Sequence, residues 1–103
     1  MMFISPTHGR LSLEQMVDDI RAYIAEDTSF QYKLIVGSDS QPRDVTCFVT
    51  AIIVHRVGKG AHYYYTKRYD RKITSLRQRI FYEASLSLEM AAKLSDCLSR
   101  QEG

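Results

Sequence analysis

Tyr32-Lys33-Leu34-Ile35-Val36-Gly37-Ser38-Asp39-Ser40-Gln41 is the stretch on which the reading of this chain turns. Its first half is a short apolar run of strand type. Its second half is small and polar, with a carboxylate at its centre. A strand over Tyr32–Gly37 would deliver Asp39 to the rim of a sheet with little positional freedom, which is what divalent-metal chemistry requires. Gly-Ser-Asp-Ser is also ordinary turn chemistry, in which an Asp side chain bonds to its own neighbouring backbone. Spacing alone leaves both readings open.

Upstream, Ser12 followed by Gln15 fits a capping box, and Leu13, Met16, Val17, Ile20 and Ile24 recur at helical spacing. They predict an amphipathic helix over Leu13–Glu26, with Glu14, Asp18 and Arg21 on its wet face. Residues 3–10 read as a loop, because Ser5-Pro6-Thr7-His8-Gly9 carries two strong breakers. Downstream, Thr46–Val57 is long and rich in β-branched residues, and Ala61–Arg68 is dominated by Tyr63-Tyr64-Tyr65. Gly58-Lys59-Gly60 between them is a tight hairpin turn. Phe48–Val54 is apolar almost without alternation, which predicts cover on both faces of that strand. From Ser75 to Ser99 one long helix follows, with Leu76, Ile80, Ala84, Leu88, Ala91, Leu94 and Leu98 as its expected buried stripe. The order is helix, three-stranded antiparallel meander, long C-terminal helix: a single α/β domain over residues 1–103.

The chain has 103 residues, room for one core. Its 14 basic and 12 acidic residues leave a net charge of +2, short of a dedicated nucleic-acid-binding composition. No apolar run reaches membrane-spanning length, and the N-terminus lacks the basic start and apolar centre of a signal peptide. Cys47 and Cys97 have no CxxC partner, so two buried, reduced thiols in a cytoplasmic protein are expected. His8, His55 and His62 are too scattered for a zinc site.

Glu83 adjoins the apolar stripe of the long helix and is directed toward the sheet rim. It either pairs with Arg79 one turn earlier, a contribution of about 0.2–0.5 kcal/mol, or meets Asp39 to hold a hard cation. Two carboxylates from separate elements suffice for Mg²⁺ when water and substrate phosphate take the other positions. Lys59 at the hairpin tip, near Arg56, Lys67 and Arg68, is a candidate phosphate contact; the rival reading is a lysine that keeps an exposed turn soluble. Arg77 and Arg79 admit the same two roles, with Asp70 and Glu83 as alternative partners. Ser38, Ser40 and Gln41 read as polar supports of the Asp39 rim. Tyr63-Tyr64-Tyr65 invites comparison with a base-stacking platform, but alternation sends Tyr64 to the opposite face, and packing is the expected role.

Four ordered motifs carry a family resemblance through almost the whole chain. They are Phe3-x-Ser5-Pro6-Thr7-x-Gly9, Gly37-Ser38-Asp39-Ser40-Gln41, His55-Arg56-x-Gly58-Lys59-Gly60-Ala61 and Ser75-Leu76-Arg77-x-Arg79-Ile80-x-x-Glu83. Together they resemble the YkuK-type bacterial proteins, relatives of ribonuclease H. The resemblance implies a ribonuclease-H-like fold: three antiparallel strands, a helix, then a fourth strand parallel to the first. It implies metal-dependent phosphodiester hydrolysis, with Asp39 and Glu83 at the positions that bind catalytic Mg²⁺ or Mn²⁺ and Ser40, Gln41, Lys59, Arg77 and Arg79 available to nucleic acid. The rival expectation is a non-catalytic nucleic-acid- or protein-binding module. Family members continue into a further acidic strand, so the fold is expected to be incomplete here, with Tyr32–Gly37 as an unpaired edge and a homodimer as the simplest assembly.

Overall fold

The computed structural model describes residues 1–42, 44–71, 73 and 75–100. In chain order the elements are β1 (Met2–Ser5), β2 (Gly9–Ser12), α1 (Leu13–Glu26), β3 (Tyr32–Pro42), β4 (Val45–Arg56), β5 (Gly60–Arg71) and α2 (Leu76–Ser99). The five strands form one sheet in the order β2-β1-β5-β4-β3, with every adjacent pair antiparallel.

The meander expected from the sequence is β3-β4-β5, and the loop expected over residues 3–10 is instead a hairpin. Its breakers punctuate the turn rather than abolish the strands. Ser5 Oγ accepts the backbone N–H of Thr7 at 3.2 Å and of His8 at 3.1 Å, and Gly9 supplies a φ of 71° that other residues resist. Phe3 is fully buried, so the hairpin belongs to the core rather than to a surface loop. The sheet therefore has five strands and not three.

β3 also runs further than its composition suggests. Pairing with β4 continues from Tyr32 opposite Arg56 to Pro42 opposite Thr46, straight through Gly37-Ser38-Asp39-Ser40. Thus Asp39 stands within a strand, opposite Val49, and not in a turn after it. The long β-branched partner supplies a ladder that overrides the local turn preference. β3 is the edge of the sheet, as expected.

β4 alternates strictly: Thr46, Phe48, Thr50, Ile52, Val54 and Arg56 are buried, while the intervening residues are half-exposed. Both helices lie on the same side, so the expected double cover of this strand does not occur. Buried Phe3, Ile52, Val54 and Tyr64 of the sheet pack with Met16 and Ile20 of α1 and Met90 and Leu94 of α2 in one core. The α1 start is the capping box read from the sequence: Ser12 Oγ accepts Gln15 N–H at 3.1 Å, and Gln15 Oε1 accepts Ser12 N–H at 2.9 Å.

The buried stripe of α2 is rotated from the expected one. Leu94 is buried and Leu98 packs on the core as expected, but Leu86 and Met90 are buried in place of Leu76, Ile80 and Leu88, which are exposed. Two apolar stripes run along this helix, and docking on β3 selects the one that also carries Glu83 and Ser87. Arg56, read from the sequence as a neighbour of the basic hairpin tip, is buried beneath it. Its guanidinium lies 4.2 Å from the Tyr23 ring centre and donates to Tyr23 O at 3.0 Å, Tyr32 Oη at 3.0 Å and Glu26 Oε1 at 3.3 Å. Burial works against its charge, yet these bonds hold its pKa above the ordinary arginine value. The two cysteines are half-buried and unbonded to each other, less enclosed than expected.

Candidate functional site

Because strand side chains alternate, Ser38 and Ser40 face α2 while Asp39 faces the helix-free side. A ladder of hydroxyls fastens the helix to the strand. Ser38 Oγ lies 2.9 Å from Thr50 Oγ1 and 2.9 Å from Ser87 Oγ, and Ser87 Oγ is 3.0 Å from the Glu83 carbonyl oxygen. One turn along, the Ser40 hydroxyl donates to Glu83 Oε2 in a short hydrogen bond. Glu83 is thereby turned to the sheet edge and held there.

Asp39 starts from the other face but bends back along its own strand, and its Oδ1 accepts the Ser40 backbone N–H at 2.9 Å. Two carboxylates thus close on one residue, through its hydroxyl and through its amide. Both bonds fall on β3, which among the described residues has no neighbouring strand on its outer side. Gln41 follows on the Asp39 side, at the end of a shallow depression of about 460 Å³ whose floor includes Ile35, Val49, Ala51 and Ile53.

Arg79 sits one turn before Glu83 on the same side of α2. The described ion pairs do not join it to Glu83; its Nε is instead buried with no hydrogen-bond partner among the described residues. A buried donor left open costs about 1–3 kcal/mol.

Lys59 and Arg77 are not brought to this place. Lys59 occupies the β4–β5 turn, where its N–H bonds Arg56 O at 2.9 Å. The strand from Val49, opposite Asp39, to Arg56 spans about 23 Å, so Lys59 is at the other end of the sheet. Arg77 is turned away from Glu83, lining an outer groove of α2 with Gln78, Phe81 and Ser85. The sequence reading missed the Ser38–Thr50–Ser87 ladder, whose one signal was small polar residues two apart where strands favour bulk.

Among the described residues no three His, Cys, Asp or Glu side chains gather as a metal-binding group, and no helix is long and apolar enough to cross a membrane. A family model described as ribonuclease H-like matches residues 15–103. The uncharacterised protein YkuK of Bacillus subtilis (strain 168) is 36% identical over 98 residues, covering 92% of this chain and 56% of that protein. The chain therefore spans little more than half the length of that relative. No solved structure matches it. A family match over most of the chain, and a relative so similar across nearly all of it, agree with the observed α/β domain: the chain belongs to the ribonuclease-H-like family, of the YkuK type.

Proposed function

We propose that the protein acts on nucleic acid and hydrolyses phosphodiester bonds with the help of Mg²⁺ or Mn²⁺. The observation that carries this reading is the convergence of Asp39 and Glu83 on Ser40 in a ribonuclease-H-like chain. The donor set fits one hydrated hard cation: two carboxylates, a hydroxyl and an open outer side leave room for water and phosphate. Two carboxylates are too few for a pair of such ions. A bound ion would supply a Lewis acid against the phosphate charge.

The chain's own residues have separable parts in this reading. Ser40 orients Glu83 by donating to it, and the hydroxyl ladder behind it fixes the distance between α2 and β3. The half-buried Arg79, one turn before Glu83, brings a guanidinium charge to the phosphate on this side of α2. Gln41, beside Asp39, is positioned to touch the nucleotide. Lys59 and Arg77, remote from this edge, would serve only as distant phosphate contacts along a longer strand.

A second reading, a nucleic-acid-binding module without hydrolysis, is favoured by the two-carboxylate count. Cleavage of labelled single-stranded RNA, single-stranded DNA and an RNA–DNA hybrid with and without Mn²⁺ separates the two. The nuclease reading expects Mn²⁺-dependent cleavage that falls at least about 100-fold in both Asp39→Asn and Glu83→Gln. Binding without cleavage in the parent protein establishes the module instead. We also propose a second copy of this chain as a partner, supported by the open β3 edge and the exposed Ile80, Phe81 and Leu88 of α2.

A further inference from the structure

The side of the sheet away from both helices carries a pattern that the edge site does not use. On β5 the buried Tyr64 points into the core, so alternation sends Tyr63, Tyr65, Lys67, Tyr69 and Arg71 to the free side. Aromatic and cationic side chains therefore share one row. Tyr63 is 52% and Tyr69 63% exposed, far more than core tyrosines. Lys67 Nζ lies 6.0 Å from the Tyr65 ring centre, within reach of a cation–π contact. In register beside this row stand Ile53 opposite Tyr63, Ala51 opposite Tyr65 and Val49 opposite Lys67. They make a low apolar floor on which a planar ring can lie.

The charge on this side is mostly positive. By register and alternation its strand residues include four cations, Arg10, Lys33, Lys67 and Arg71, against one carboxylate, Asp39. That surplus of three exceeds the net charge of +2 for the whole chain. A purely apolar partner would have to bury those ammonium and guanidinium groups without a counter-charge. A polyanion with flat, stackable groups satisfies the whole row.

Spacing selects the form of that polyanion. Successive outward residues on a strand are about 6.6 Å apart, roughly twice the 3.4 Å step between stacked bases. Bases must be splayed apart to lie on neighbouring rings, which a single strand permits and a duplex does not. We propose that the helix-free face of the sheet binds single-stranded nucleic acid, with Tyr63, Tyr65 and Tyr69 stacking bases and Lys33, Lys67 and Arg71 meeting phosphates. The ligand class rests on the nucleic-acid reading above, but the platform requires no hydrolysis and no metal ion.

Fluorescence anisotropy in EDTA, with a labelled oligouridylate of about twelve nucleotides and a duplex of the same length, tests the platform directly. The single strand is expected to bind at least about tenfold more tightly than the duplex. Tyr63→Ala and Tyr69→Ala should each weaken it roughly tenfold, while Tyr63→Phe stays within about twofold because the ring is kept. Lys67→Gln should reduce the salt slope by about 0.7, and Lys93→Gln on α2 should change nothing. Both tyrosines are mostly exposed, and circular dichroism checks that the variants fold. Three results overturn the proposal: no binding by the parent protein, equal binding of duplex, or alanine variants that bind like the parent. Self-association abolished by Tyr63→Ala also overturns it, since the face would then be an interface between copies. Cleavage with Mn²⁺ remains a separate readout, so a failed platform and a failed nuclease are told apart.

Discussion

Ser40 bonds both carboxylates of the candidate site, Asp39 through its amide and Glu83 through its hydroxyl. Without its hydroxyl, Glu83 has no described partner to hold it at the edge. A comparable single-residue lock lies at the other side of the core. The Tyr64 hydroxyl donates to Asp19 Oδ2, and Asp19 Oδ1 is 3.2 Å from His8 Nε2, so one carboxylate ties β5 and the β1–β2 turn to α1. Burial first, and then the bond to Asp19, raise the Tyr64 pKa well above the usual tyrosine range. The folded protein therefore keeps this phenol neutral at a pH where the unfolded chain ionises it. Its contribution is complete below about pH 10 and declines as the pH rises beyond that. Urea midpoints measured from pH 8 upward should fall above about pH 10, and less steeply in Tyr64→Phe. At neutral pH that variant should lose about 2 kcal/mol, because the bond accepts onto a charged group.

Among the elements, α2 is the one whose sequence supports two orientations. Leu76, Ile80 and Leu88 form one apolar line, and Leu86, Met90 and Leu94 another. Burying the second line also places Ser87 against Ser38 and Glu83 against Ser40, so polar pairing and apolar packing agree on one rotation. Leu94→Ala should destabilise by about 2–5 kcal/mol, and Leu88→Ala, 72% exposed, should stay within about 0.5 kcal/mol. Chemical denaturation of both variants checks the rotation: a larger loss at Leu88 would mean that the helix docks by its other face. β3 presents the matching case for a strand. Its Gly-Ser-Asp-Ser segment has turn composition, but pairing with β4 runs its whole length and keeps it extended.

On the scale of the whole molecule, two helices on one side of a five-stranded sheet leave three surfaces unshared: the β3 edge, the aromatic and basic free face, and the outward side of α2. The first and last favour a second copy, because an open edge offers a row of backbone donors and acceptors and Phe81 is 75% exposed. Light scattering over a concentration series should show a dimer, and Phe81→Ser should shift it toward monomer. A monomer at every concentration would mean that neither surface recruits another chain. A dimer untouched by Tyr63→Ala is expected, because the free face is assigned to nucleic acid.

Much of this was legible before any coordinates. Local chemistry determined α1, whose cap and apolar period are near-neighbour properties, and the β4–β5 hairpin, where glycines with φ of 84° and 128° flank Lys59. The resemblance singled out Asp39 and Glu83, though not that both would bond to Ser40. What the tertiary structure alone decided depends on partners distant in sequence. Phe3 makes a hairpin of a breaker-rich segment because it has a core to enter. β4 keeps β3 extended past its turn-like residues. The side on which both helices pack determines which half of the tyrosine run is buried, and which half of each strand faces solvent. Periodicity records that a side chain alternates or repeats; only the placement of the other elements decides which of the two faces is covered.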